Sequence, residues 1–245
     1  MRVKIIFCSD LKSPPSQYIA EDGQTPTGVA YDMLEGIGEE LNLPIEMFNV
    51  AFSGIFAALD SGHCNGIMAS TSKNPTRLEK YNFVDYWSVQ SGLLVKKGNP
   101  DQLSTFEDLS GKRVAVLLGS ANERRLKAAN DKLTEAGKPV MEIATYPGNT
   151  TAFQELDLGR VDAMVSDTLV LSYFMNRSNG KFEIGGAPVP PATLGIIVAK
   201  HDVDTAKAFR AALDDMAESG KLTKIIDKWG VGEGLNVCTS TKPCE

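Results

Sequence analysis

Three things are scarce in these 245 residues: long apolar runs, clustered basic charge and histidine. No stretch approaches the roughly 18 consecutive apolar residues of a membrane-spanning helix. Lysine and arginine are scattered and the formal net charge is -6, so the basic footprint that holds nucleic acid is missing and polyanion partners are disfavoured. The two histidines, His63 and His201, stand far apart, and neither a Ser-His-Asp set nor a metal-ligand cluster is visible. No cofactor and no metal site are therefore expected. The opening MRVKIIFCSD has a short apolar core, Val3 to Cys8 broken by Lys4, and lacks a small-residue cleavage site. It predicts a first strand behind a start methionine; if the protein is exported, its leader is absent from this sequence.

Cysteine is limited to Cys8, Cys64, Cys238 and Cys244. Cys238 and Cys244 lie in the polar tail NVCTSTKPCE, where a disulfide closing a short loop would order the chain end. That reading stands ahead of free thiols and of a zinc pair, for which no second ligand pair exists. Cys8 and Cys64 read as buried strand thiols.

What is present is a globular composition, 42% hydrophobic, and a length that suits one large domain or two smaller ones. Apolar runs alternate with helix-period segments, which argues α/β with largely parallel sheets. VKIIFC is a strand, GVAYDMLEGIGEEL a helix with Val29, Met33, Leu34, Ile37 and Leu41 on one face, and PIEMFNV a strand. Ser53 caps a helix with Ile55, Phe56 and Leu59 inward, and NGIMAS is a third strand. After LLVKKGNP the order repeats: KRVAVLLG, VMEIATY and VDAMVS are strands, each followed by a helix. The prolines of APVPPATLG resist regular structure; LGIIVAK then returns as a strand, and two helices follow, the second near LTKIIDKWG. The first unit has too few elements for its sheet, so the chain is expected to cross back. This predicts lobe 1 over 1–89 and 193–245, lobe 2 over 90–192, and two crossings that form a hinge.

Ligands of open α/β sheets sit at the C-terminal ends of strands, and ASTSKNPTR, residues 69–77, lies at such an end. Ser70, Thr71 and Ser72 could simply bond within a turn, and Arg77 could be a surface charge near Glu79. Ser120, with Glu123 three residues on, fits a capping box, yet Gly119-Ser120-Ala121 also offers amides to an anion. Asp167 reads first as an N-cap, and Phe52 as a hydrophobic staple. Taken together, Arg77 and the hydroxyls with Ser120 could surround a carboxylate, while Asp167 takes an ammonium. A carboxylate beside an ammonium describes an α-amino acid.

The segments TPTGVAYDMLEGIGEEL, FSGIFAALDSG, TSKNPTRLEKYNFVDYW, DLSGKRVAVLLGS, GRVDAMVSD and LTKIIDKWG, in this order, resemble the polar amino-acid-binding members of the periplasmic solute-binding proteins, family 3. The resemblance implies a two-lobed type II periplasmic-binding-protein fold, two α/β lobes joined by two hinge strands, and an ABC importer whose membrane permease receives the ligand. It assigns Arg77 to the ligand carboxylate, with Ser72 and the backbone of Ala69 and Ser70 in support. Ser120 and Ala121 serve the opposite lobe, Asp167 the ammonium, Phe52 and Asp10 the side chain. Ser13 and Ser16 stand where the family carries aromatics, so a stacking wall is gone and the side-chain subsite is altered; Lys12 reads first as solvent-facing, and otherwise could approach an acidic ligand end. The expected protein is a periplasmic monomer that binds an amino acid or a polar, acidic or opine-like derivative without catalysis. The rivals are a cyclohexadienyl dehydratase-like enzyme, for which Asp10 is the main acid-base candidate, and the sensing domain of a membrane receptor.

Overall fold

The computed structural model describes residues 4–231 and 236–244, so Val3 of the expected first strand lies outside the described residues. The chain divides into two compact units, Met1–Val89 with Ala192–Glu245 and Gln90–Pro191.

The first unit begins with β1 (Ile5–Ser9), whose Phe7 and Cys8 are fully buried. β2 (Lys12–Ser13), β3 (Gln17–Ile19) and β4 (Pro26–Thr27) form a small antiparallel sheet of their own. α1 (Val29–Glu40) buries Val29, Met33, Leu34 and Ile37 as the 3.6-residue period requires, and leaves Leu41 half-buried just past its end. β5 (Ile45–Asn49) pairs parallel with β1 on one side, and β6 (Gly66–Ile67) pairs parallel with it on the other. Between them α2 (Ile55–Asp60) is shorter than expected and is not capped by Ser53. That residue is exposed inside a 3-10 turn over Phe52–Gly54, and Gly54 takes the N-cap position. The third strand is likewise only two residues, because Met68 onward turns away to build a loop. α3 (Pro75–Lys80) and β7 (Tyr81–Lys96) follow, and β7 runs on into the second unit.

The second unit alternates β8 (Arg113–Leu117), α4 (Ala121–Glu135), β9 (Glu142–Tyr146), α5 (Asn149–Asp157), β10 (Ala163–Asp167) and α6 (Thr168–Arg177). β8 lies between β9 and β10, parallel to both, and β10 pairs antiparallel with the later half of β7. One face of this sheet packs Leu93, Val114, Val116 and Val165 with Leu126, Ala129 and Leu133 of α4; the other packs Leu94, Ala115 and Met164 with residues of α5 and α6. Alternate strand residues thus serve opposite layers, and both layers are buried and apolar.

β11 (Phe182–Ala199) carries the chain back, and its end pairs antiparallel with β6. The expectation that the prolines would break regular structure is corrected here: the strand runs through them. Proline's φ is compatible with extended backbone and costs the strand only a donor. α7 (Val203–Glu218) and α8 (Lys221–Trp229) then pack against α1. Lys228 Nζ and Trp229 Nε1 both donate to Asp32 Oδ2 at 2.7 Å. β12 (Asn236–Val237) pairs with Trp87 and Ser88 of β7.

All four cysteines are paired. Cys238 and Cys244 close the terminal loop. Cys8 and Cys64 are buried, and Cys8 stands in β1 as expected, but the two are bonded to each other rather than free thiols, and Cys64 lies not in a strand but in the turn before β6, which brings it beside the end of β1.

Candidate functional site

In the first unit a dense polar cluster collects where β1 and β6 end. Asp10 follows β1 directly and is only 1% exposed. It accepts from Gln17 Nε2 at 3.2 Å and from Ser13 Oγ at 3.3 and 3.4 Å. Burial pushes its carboxyl up from 3.8 to about 7, against the opposing pull of those bonds and of nearby Lys12. Gln17 Oε1 accepts in turn from Ser70 Oγ at 3.4 Å, and the Ser16 and Ser70 hydroxyls meet at 2.8 Å. Ser9 Oγ donates to the Met68 carbonyl at 2.6 Å and so ties the two strand ends together.

After β6 and Met68 come Ala69, Ser70, Thr71 and Ser72, and all but the half-buried Ser70 are buried. Ser70 adopts a left-handed φ of 47°, a conformation uncommon outside glycine and one that clusters at functional sites. Asn74 caps α3 by accepting from the Arg77 amide at 2.9 Å, with Pro75 at the first helical position. That short start turns Arg77 back toward the strand end. Its Nη1 donates to the Ser72 carbonyl at 2.7 Å, and its guanidinium lies 4.8 Å from the Phe56 ring centroid. With 9% exposure, Arg77 is a largely buried cation held in one orientation rather than a solvated surface charge. Phe52 is buried in the turn before α2, whereas Lys12 is exposed on β2.

In the second unit Ser120 accepts from the Glu123 amide at 3.1 Å and caps α4, with Ala121 as the first helical residue. The reciprocal bond of a capping box is displaced by one residue, since Glu123 Oε2 accepts from the Gly119 amide at 2.5 Å. Asp167 ends β10 and caps α6 through Oδ1, which accepts from the Val170 amide at 3.1 Å. The cap is real but does not exhaust the residue. Its second oxygen bonds to no described residue, and desolvation raises the carboxyl from 3.8 to about 6, opposed only by that amide. No described residue places a cation within ion-pair distance of it.

The structure therefore groups Asp10, Ser13, Ala69, Ser70, Ser72 and Arg77 at the strand ends of one unit, and Phe52 lies in the same unit in the turn before α2. It places Ser120, Ala121 and Asp167 at the strand ends of the other. Sequence reasoning missed Gln17, whose buried amide links Asp10 to Ser70; a glutamine after two prolines reads as loop. Among the described residues no group of three His, Cys, Asp or Glu could hold a metal ion.

Residues 5–232 match the sequence pattern of the bacterial extracellular solute-binding proteins, family 3. The L-cystine-binding protein TcyJ of Escherichia coli strain K12 is 27% identical over 218 residues, covering 88% of this chain and 78% of that protein. The solved structure of an ancestral arginine-binding protein bound to arginine superposes with a TM-score of 0.84 at 31% identity, covering 94% of this chain and 99% of the other. An ancestral amino acid-binding protein described as a precursor of cyclohexadienyl dehydratase gives 0.82 at 28% identity, covering 92% and 95%. These likenesses establish the type II periplasmic-binding-protein fold.

Proposed function

The chain belongs to the bacterial extracellular solute-binding proteins, family 3, and on that premise we propose that it captures a free α-amino acid in the periplasm. As a monomer it would deliver that ligand, chemically unchanged, to the permease of an ABC importer. Candidate recognition groups stand in each unit. Arg77, preoriented by Ser72 and Phe56, takes the carboxylate in the bidentate manner that guanidinium geometry favours. Ser72 and the backbone at Ala69 and Ser70 add donors, as do Ser120 and the amide of Ala121. Asp167 takes the ammonium, while Asp10, Ser13 and Phe52 meet the side chain.

The observation that carries this reading is Asp167. A desolvated carboxylate with one oxygen bonded to an amide and no described cation nearby is disfavoured unless a charge arrives. A ligand ammonium supplies it. The test is calorimetric titration of protein unfolded and refolded to strip retained ligand, using the amino acid that gives the largest thermal shift. Arg77→Ala is expected to weaken binding by roughly 3–5 kcal/mol, because the ligand carboxylate would lose its buried partner. An affinity unchanged by that substitution refutes the assignment.

A second reading has one observation in its favour. Asp10, raised to about 7, is poised for general acid-base work, and one structural relative is described as a precursor of a dehydratase. Incubation with a cyclohexadienyl substrate decides between them: turnover abolished in Asp10→Asn supports the enzyme, and an unchanged substrate spectrum supports the carrier.

A further inference from the structure

The second unit holds a charge that the reading above leaves unused. Arg125 lies on α4 next to Leu126, one turn after Ala121, and is half-buried. Its Nη1 donates to Ser91 Oγ and to Asn122 Oδ1, both at 2.9 Å. Both acceptors are neutral. Among the described residues no carboxylate lies within ion-pair distance of it, whereas Arg113, Arg160 and Arg210 are paired with Glu142, Glu155 and Asp214. Desolvation, and then the neighbouring Arg124, depress the Arg125 pKa. A guanidinium that is partly desolvated and not neutralised costs stability unless something supplies a counter-charge.

The register shows what Arg125 is near. Ser91, which it grips, stands directly opposite Asp167 in the β7–β10 pair. Two residues along, Leu93 and Val165 are also opposite and belong to the core under α4. By alternation, Ser91 and Asp167 continue that same face at its edge. Ser120 opens α4 over this edge. The unit thus presents a helix cap, an uncompensated carboxylate and an uncompensated guanidinium on one face of one sheet edge. The two opposite charges do not pair with each other.

We propose that Arg125 recognises the ligand's side chain and that the ligand is an amino acid carrying a second anionic group, a carboxylate above all. This rests on the amino-acid reading given above. Nη1 is occupied by Ser91 and Asn122, so the Nε and Nη2 hydrogens remain as one edge of the planar fork, the geometry a carboxylate accepts bidentately. Ser91 and Asn122 hold the guanidinium without neutralising it, so an anion gains its full charge.

The test compares L-glutamate, L-aspartate and L-cystine with L-glutamine, L-asparagine and L-methionine, by titration calorimetry on the stripped full chain and on Arg125→Met. At least one member with a second carboxylate is expected to bind the unaltered protein about tenfold or more tighter than its counterpart without one. In Arg125→Met that preference should shrink to within about threefold, with the neutral affinity held within the same margin. A preference for the neutral members, or equal weakening of both, overturns the proposal. So does a drop of several degrees in the ligand-free melting temperature of Arg125→Met, because it would mark Arg125 as a structural tether between α4 and β7. If none of the six binds the unaltered protein, this proposal is overturned, and the amino-acid reading fails with it only if no other amino acid shifts the melting temperature either. Preference lost in the variant alone isolates Arg125.

Discussion

Replacing Asp10 by asparagine should stabilise the ligand-free protein at neutral and alkaline pH. The carboxyl sits at about 7 in the folded chain against 3.8 ordinarily, so the folded state binds its proton more tightly than the unfolded state does. Stability from this group is fully present below about pH 4 and is lost as the pH rises through 7. At roughly 1.4 kcal/mol per pH unit between the two values, the ionised carboxylate costs up to about 4 kcal/mol at pH 8. Asparagine is close to isosteric: its oxygen can still accept from Gln17 Nε2, and its amide can donate to Ser13 Oγ. The bonds to a neutral amide are weaker than those to a carboxylate, which lowers the expected gain to about 2–4 kcal/mol. Urea unfolding of both proteins at pH 4 and pH 8 measures it. Asp167 titrates in the same direction but is common to both chains and cancels in the difference. Stability curves that run parallel from pH 4 to pH 8 would refute the claim that burial dominates the Asp10 environment.

Gly28 has a φ of 126°, and a Cβ there would lie 2.2 Å from the Ser16 carbonyl oxygen, while the Pro15 and Ser16 carbonyls accept from the first amides of α1. Gly28→Ala should therefore cost about 2 kcal/mol or more, whereas Gly62→Ala, with φ +75° and nothing within 4 Å, should cost about 1 kcal/mol; urea midpoints separate the two. Removing the Cys8–Cys64 bond as the double alanine variant should lose about 4 kcal/mol, and removing Cys238–Cys244 about 2 kcal/mol, because the loops closed span separations of 56 and 6 residues. Equal losses would show that loop entropy does not set the order.

The strand and helix alternation was legible because both periods are strong: the α4 stripe Leu126, Ala129, Leu133 and the buried run Val114 to Val116 in the RVAVL of β8 leave little ambiguity. The Cys8–Cys64 bond was not legible, since it depends on β6 being laid beside β1 and sequence carries no register between distant strands. Ser53 misled because a hydroxyl before an apolar period looks the same whether the chain enters a helix or a 3-10 turn. Among the candidate residues, Arg77 and Asp167 stood out through the turn residues around them. Gln17 and Arg125 could not: Gln17 looks like ordinary loop polarity until its burial is seen, and Arg125 like helix-surface polarity until the described residues near it prove to include no carboxylate partner.

The strands β7 and β11 have one more consequence, for the order in which the chain can fold. Residues Gln90–Pro191 are contiguous and own both layers of their core, so that unit can form as soon as it is complete. The first residues cannot follow that schedule. α1 needs α7 and α8 to cover its apolar face, and β6 needs the last part of β11, all of which come after residue 191. During synthesis, the segment that was made first must therefore wait, with Val29, Met33, Leu34 and Ile37 uncovered, for the segment made last. That interval is when this chain most needs a holding chaperone.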